Sequence, residues 1–185
     1  MVRARYRANV CFVGQRKYLV MGGTNQKSKA ERSCEVYLDS ADTEPGATNQ
    51  SVADMKYKRS RLSSCWMQRM NRVVVAGGMI YGKGSTQIEL FDVQRNEWTL
   101  HGAQFQFEHK YPAVWADEDN PNVCYVAGDW IGFGGRKDSL GFVEWIDLRE
   151  NQKKWNLFDD HTLTEMFGID GVRANLWESR TLTLL

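Results

Sequence analysis

Apolar residues bunch into short runs that end in glycine. Tyr18-Leu19-Val20-Met21-Gly22-Gly23, Arg72-Val73-Val74-Val75-Ala76-Gly77-Gly78 and Val123-Cys124-Tyr125-Val126-Ala127-Gly128-Asp129 are one pattern met three times. β-Branched residues favour a pleated, packed strand, and the glycines let the backbone turn sharply where the strand stops. Gly22 and Gly77 stand 55 positions apart, and Gly77 and Gly128 stand 51 apart. A period near fifty is the first organising fact of the chain.

The pattern continues on both sides of the glycines. After a polar stretch comes a second short strand in which an acidic residue precedes apolar ones: Glu35-Val36-Tyr37-Leu38-Asp39, Glu89-Leu90-Phe91-Asp92 and Glu144-Trp145-Ile146-Asp147. A tryptophan follows in two units, Trp98 and Trp155, each after a polar turn. Ahead of each glycine strand lies an element that opens on a basic residue or tyrosine: Arg7 to Phe12, Arg61 to Trp66 and Tyr111 to Trp115. Each unit reads as four short strands, and no stretch sustains helical periodicity.

These residues resemble the kelch repeat. The double glycine closing one strand, the Glu-apolar-aromatic-Asp of the next and the later tryptophan are that family's marks, and residues 61 to 109 match best. The third unit departs by Asp129 in place of the second glycine and by a longer gap from Ile146 to Trp155, and the first has no tryptophan. The resemblance implies an all-β fold of kelch-type β-propeller blades, each of four antiparallel strands. Blades are expected at about 5–57, 61–107 and 111–167. A fourth starts at 173–185, where Arg173-Ala174-Asn175-Leu176-Trp177 echoes Arg7-Ala8-Asn9-Val10-Cys11. Gly22, Gly23, Gly77, Gly78, Gly128, Glu35, Glu89, Glu144, Trp98 and Trp155 are its structural positions. Propellers close with about four to eight blades, so residues 1–185 read as one incomplete or open propeller region, expected to self-associate through open blade edges.

Composition narrows the function classes. A length of 185 residues suits one domain with a sizeable core. The net charge of +1 gives no global attraction to nucleic acid or membrane. Basic residues do concentrate in residues 1–32, where a solvated face is the expectation. Cys11, Cys34, Cys65 and Cys124 all fall in expected strands without a Cys-x-x-Cys pair. Buried reduced thiols, a reducing compartment and hence a cytoplasmic location are expected. No apolar stretch has the length of a secretory segment or a membrane span.

Four groupings bear on chemistry. Gly77 to Ser85 nearly spells a phosphate-binding loop, but Gly84 stands where a hydroxyl is needed and Gln87 to Phe91 alternates as a strand. A loop between strands is expected there. His101, His109 and His161 fall in stretches joining units and are expected to be exposed. Kelch-containing galactose oxidases hold copper with His and Tyr, yet no ligand spacing is visible here, and neither metal nor cofactor is expected. Glu35, Glu89 and Glu144 are expected to be partly buried, accepting hydrogen bonds or pairing with an arginine such as Arg61. The loops after the glycines, Thr24 to Arg32, Met79 to Thr86 and Asp129 to Leu140, differ most between units. Variable loops on a repeated scaffold tend to carry function. Tyr81, Lys83, Trp130, Phe133, Arg136, Lys137 and His109 are therefore the partner-binding candidates. The expectation is a non-catalytic protein-binding module working through one loop-bearing face, as part of a ubiquitin-ligase or cytoskeletal assembly by the family resemblance. A kelch-based oxidase or sugar isomerase is the alternative.

Overall fold

A computed structural model describes residues 4–38, 50–128 and 143–149, and the backbone of 156–158. The architecture is all-β and antiparallel, consistent with an open propeller-like array. The first sheet runs β1 (Asn9–Phe12), β2 (Lys17–Met21), β3 (Cys34–Leu38) and β4 (Gln50–Val52) in spatial order. The middle sheet holds β6 (Ser63–Met67), β7 (Arg72–Ala76), β9 (Lys83–Asp92) and β10 (Glu97–His109). The short strands β5 (Arg59–Ser60) and β8 (Met79–Ile80) extend it alongside β9. The third sheet runs β11 (Pro112–Ala116), β12 (Val123–Gly128), β13 (Val143–Asp147) and β14 (Asn156–Phe158).

One register recurs in all three sheets. Val20 lies opposite Glu35, Val75 opposite Glu89 and Val126 opposite Glu144. The opening strands of the three sheets lie side by side. Ser64 on β6 donates to Asn9 on β1, and the Val114 N–H on β11 donates to Ser63 on β6 at 3.1 Å. Between the first two sheets, Cys11, Leu19, Met21 and Cys34 pack against Val73, Val75, Phe91 and Trp98. Between the second and third, Val74, Ile88, Leu90 and Phe105 pack against Val114, Cys124, Val126 and Ile146. Strand alternation sends successive residues of β7 to opposite neighbours, which is why Val73 and Val75 serve one core and Val74 the other.

The paired glycines are needed for closeness as well as turning. Gly22 and Gly77 have φ of 60° and 59°, Gly23 and Gly78 of 96° and 80°. A Cβ on Gly22 would lie 2.5 Å from the Arg59 carbonyl oxygen, and one on Gly77 2.9 Å from that of His109. The first glycine of each pair thus makes room for the segment leading into the next sheet. The second then bonds that segment: Gly23 N–H donates to Arg59 at 2.9 Å and Gly78 N–H to His109 at 2.8 Å.

Two expectations are corrected. Met79 to Thr86 is not a polar loop but a β8–β9 hairpin: Ile80 pairs with Lys83 across Tyr81 and Gly82, both at positive φ. Phe105 to His109 is not a connector. It continues β10, so the middle sheet runs past residue 107, with register shifts between Leu100 and His109 letting the strand bend toward the third sheet. The first sheet has its fourth strand, β4, without a tryptophan. The expected fourth unit at 173–185 lies outside the described residues.

Candidate functional site

The recurring carboxylates are buried completely rather than partly: Glu35, Glu89 and Glu144 are 2%, 0% and 0% exposed. A buried carboxylate needs a partner, and each finds it in the segment leading into its own sheet. Arg5 pairs with Glu35 and also donates to the carbonyls of Gly22 and Ser33. Arg59 meets Glu89 at 2.9 Å and donates to Gly77 and Gln87. The third sheet uses His109, whose Nε2 lies 2.9 Å from Glu144. Backbone N–H groups complete the cradle, those of Lys56 and Tyr57 on Glu89 and those of Gln106 and Phe107 on Glu144. Burial lowers the Arg59 pKa while Glu89 raises it. These groups fasten sheets together, and none is presented to solvent.

Two candidates are thereby corrected. Arg59, not Arg61, is the partner of Glu89. His109 is fully buried and cannot meet a partner at the surface. His101 lies within β10, half-buried, its Nδ1 accepting the Ala103 N–H at 3.2 Å, and burial lowers its pKa. His161 lies outside the described residues. Among the described residues no three His, Cys, Asp or Glu side chains are grouped to hold a metal ion. Trp98 is buried, 4.9 Å from Phe91 between ring centroids, and its Nε1–H donates to the Ala53 carbonyl at 2.8 Å. Gly82 and Lys83 follow Tyr81 in a hairpin tip where no described cradle for phosphate forms; Gly84 is already paired in β9.

What reaches solvent is the end of the array where the lead-in segments meet the glycine turns. Tyr81 is 82% exposed at the tip of the β8–β9 hairpin, with Lys83 exposed beside it. Further along this end, Arg7, Arg61 and Tyr111 occupy corresponding places just before β1, β6 and β11. Arg61 N–H donates to the Arg7 carbonyl at 3.1 Å, so neighbouring lead-in segments are bonded directly. The Arg61 guanidinium lies 4.5 Å from the Tyr111 ring centroid, and that of Arg7 5.3 Å from the Tyr6 ring. Arg7 and Arg61 have φ of 56° and 57°, a left-handed conformation uncommon for a residue with a side chain and concentrated at functional sites.

Basic side chains outnumber acidic ones at this end. Neither Arg7 nor Arg61 has a carboxylate partner among the described residues, nor do Lys27, Lys29, Lys58, Lys83 or Lys110. Of the nearby acids, Glu31 accepts from Asn25 at 2.6 Å and Asp54 pairs with Arg32, while Glu108 is exposed beside Gly84 and Lys110. In the sequence Arg7 and Tyr111 stand out only as strand openers, and Arg61 as a strand opener and an expected carboxylate partner. Their common spacing of 54 and 50 positions was the available signal. The remaining candidates, Trp130, Phe133, Arg136 and Lys137, and the structural Trp155, lie outside the described residues.

No protein-family model matches the chain, and no curated protein matches it. Among the described residues no helix is long and apolar enough to cross a membrane.

Proposed function

We propose that the chain is a non-catalytic protein-binding module of kelch-type propeller blades that engages its partner through the end carrying Tyr81, Lys83, Arg7 and Arg61. The observation that carries the reading is the contrast between two sets of charges. The buried set is neutralised inside the fold, whereas Arg7 is exposed and Arg61 half-buried, each lies against an aromatic ring, and neither has a carboxylate partner among the described residues. Exposed aromatic and arginine side chains are the usual anchors of an interface. Four thiols without disulfides, three of them buried, support a reducing, cytoplasmic setting.

The test is site-specific photocrosslinking in a cell extract. A benzophenone residue replacing Tyr81 is expected to capture a discrete protein, and one replacing Arg95, in the β9–β10 turn at the other end, is not. Capture of the same species from both positions, or from neither, removes this end from the binding surface.

A further inference from the structure

We infer that Arg7 and Arg61 form a receptor for a phosphate monoester carried on the partner protein. The inference deepens the protein-binding reading and rests on it. A direct backbone hydrogen bond sets the two residues side by side. Neither side chain has a carboxylate partner among the described residues, and a single dianion accepting from both supplies the missing counter-charge. A phosphate monoester carries close to two negative charges at neutral pH and three acceptor oxygens, whereas a carboxylate carries one charge and two oxygens. Guanidinium groups laid against aromatic rings keep their N–H edges free, and that planar fork suits phosphate. Tyr6 and Tyr111 supply those rings. The left-handed backbone at both arginines fixes where the side chains start before any ligand arrives.

The charge distribution favours a phosphopeptide over nucleic acid. The chain carries a net charge of only +1, and its basic residues are divided between both ends of the array, Arg69 and Arg95 standing opposite Arg7 and Arg61. Single-stranded nucleic acid is held by a charged groove that follows several successive phosphates, with strong salt dependence.

Fluorescence anisotropy of the full chain with fluorescein-labelled peptides tests this. The probes are one short Ala/Gly/Ser peptide in unphosphorylated, phosphoserine and glutamate forms, and a phosphotyrosine counterpart. At least one phosphopeptide is expected to bind about tenfold or more tightly than the unphosphorylated and glutamate forms, with inorganic phosphate competing. Binding should strengthen from pH 5 to 7.5 as the second phosphate proton leaves near pH ~6. The double substitution Arg7→Gln and Arg61→Gln is expected to abolish the preference. Arg69→Gln with Arg95→Gln removes the same charge at the opposite end and should leave it intact. Tyr111→Leu removes an aromatic backing and no charge, and should weaken binding with the urea midpoint retained. Equal binding of the glutamate peptide overturns the inference, as does equal loss from both double substitutions. Arg7- and Arg61-dependent capture by phosphatidylinositol-phosphate vesicles, or by an oligouridylate, with no phosphopeptide binding overturns it in favour of those ligands. A partner crosslinked through position 81 whose binding is indifferent to phosphatase treatment overturns it while leaving the protein-binding reading standing.

Discussion

The Arg59 guanidinium and the Glu89 carboxylate meet at 2.9 Å with both side chains fully withdrawn from solvent. They lie 30 positions apart in the chain, as do Arg5 and Glu35, and His109 and Glu144 lie 35 apart. The pair spans from the segment between two sheets to the second of them, so it holds the connection as well as the sheet.

Removing one partner should therefore cost far more than a surface ion pair. Arg59→Met leaves the buried Glu89 carboxylate with the Lys56 and Tyr57 N–H groups as its remaining donors among the described residues. The expected loss is about 3–5 kcal/mol. Adding Glu89→Leu should recover part of that loss, because no buried charge then remains. Urea unfolding of both variants checks this; additive losses would show that the two groups are not coupled.

The glycines separate strain from contact. Gly78 and Gly82 share a left-handed φ, 80° and 79°, but their surroundings differ. A Cβ on Gly78 would lie 2.7 Å from the Ser60 carbonyl oxygen and 2.9 Å from the Leu62 nitrogen, whereas one on Gly82 meets nothing within 4 Å. Gly82→Ala should cost about 1 kcal/mol of backbone strain. Gly78→Ala should cost roughly 3 kcal/mol or more, because backbone has to move. Equal shifts in the denaturation midpoint would mean that the close approach does not matter.

Strand succession was legible because it rests on local chemistry: β-branched runs, glycine pairs and the recurring acidic residue of the strand that follows them. The choice of Arg59 over Arg61 was not. Both are basic and lie two positions apart, so a strand pattern puts them on the same face. The left-handed backbone at Arg61 redirects the chain between them, and no residue type announces that. His109 was hidden for a related reason. It fills the arginine position of the third sheet, but Phe105 to His109 looks like a connector until the bend in β10 carries Ala103, Phe105 and His109 into the interior. The pairing of Arg7 with Arg61 required knowing that successive lead-in segments touch, which is a tertiary fact.

Burial should silence the cysteines at ordinary pH. It pushes the Cys34 and Cys124 thiols up to about 12 and Cys11 up to about 11. An Ellman assay at pH 8 should find these thiols unreactive in the folded chain and reactive in urea. The sign of the pH effect follows from the raised values. The folded state holds these protons where the unfolded state releases them, from about pH 9. This contribution to stability is complete below that pH and is lost as pH rises toward 11 to 12. A urea midpoint that does not fall between pH 8 and pH 10.5 would contradict it, as would native-state labelling at the unfolded rate.

The first sheet should make the protein self-associate weakly. One side of β1 and β2 is sealed, with Cys11 and Leu19 buried against the middle sheet. The other side presents Val10, Phe12 and Tyr18 at 58%, 51% and 37% exposure. Phe12 and Tyr18 lie 5.3 Å apart between ring centroids and form one patch. Trp66 shows what such a position accepts: it lies one residue from the end of β6, as Phe12 ends β1, and it packs into the core shared with the first sheet. If two such patches meet and bury on the order of 300 Å² of apolar surface, the gain at ~25 cal/mol/Å² is roughly 7 kcal/mol. Association costs of about 4–15 kcal/mol offset most of that. The balance favours concentration-dependent oligomers over a tight dimer. Light scattering after size exclusion should show the mean mass rising with loading concentration. Phe12→Lys should hold it at the 21.3 kDa of the single chain. A parent chain that stays at that mass across the concentration range would show that the patch is not adhesive.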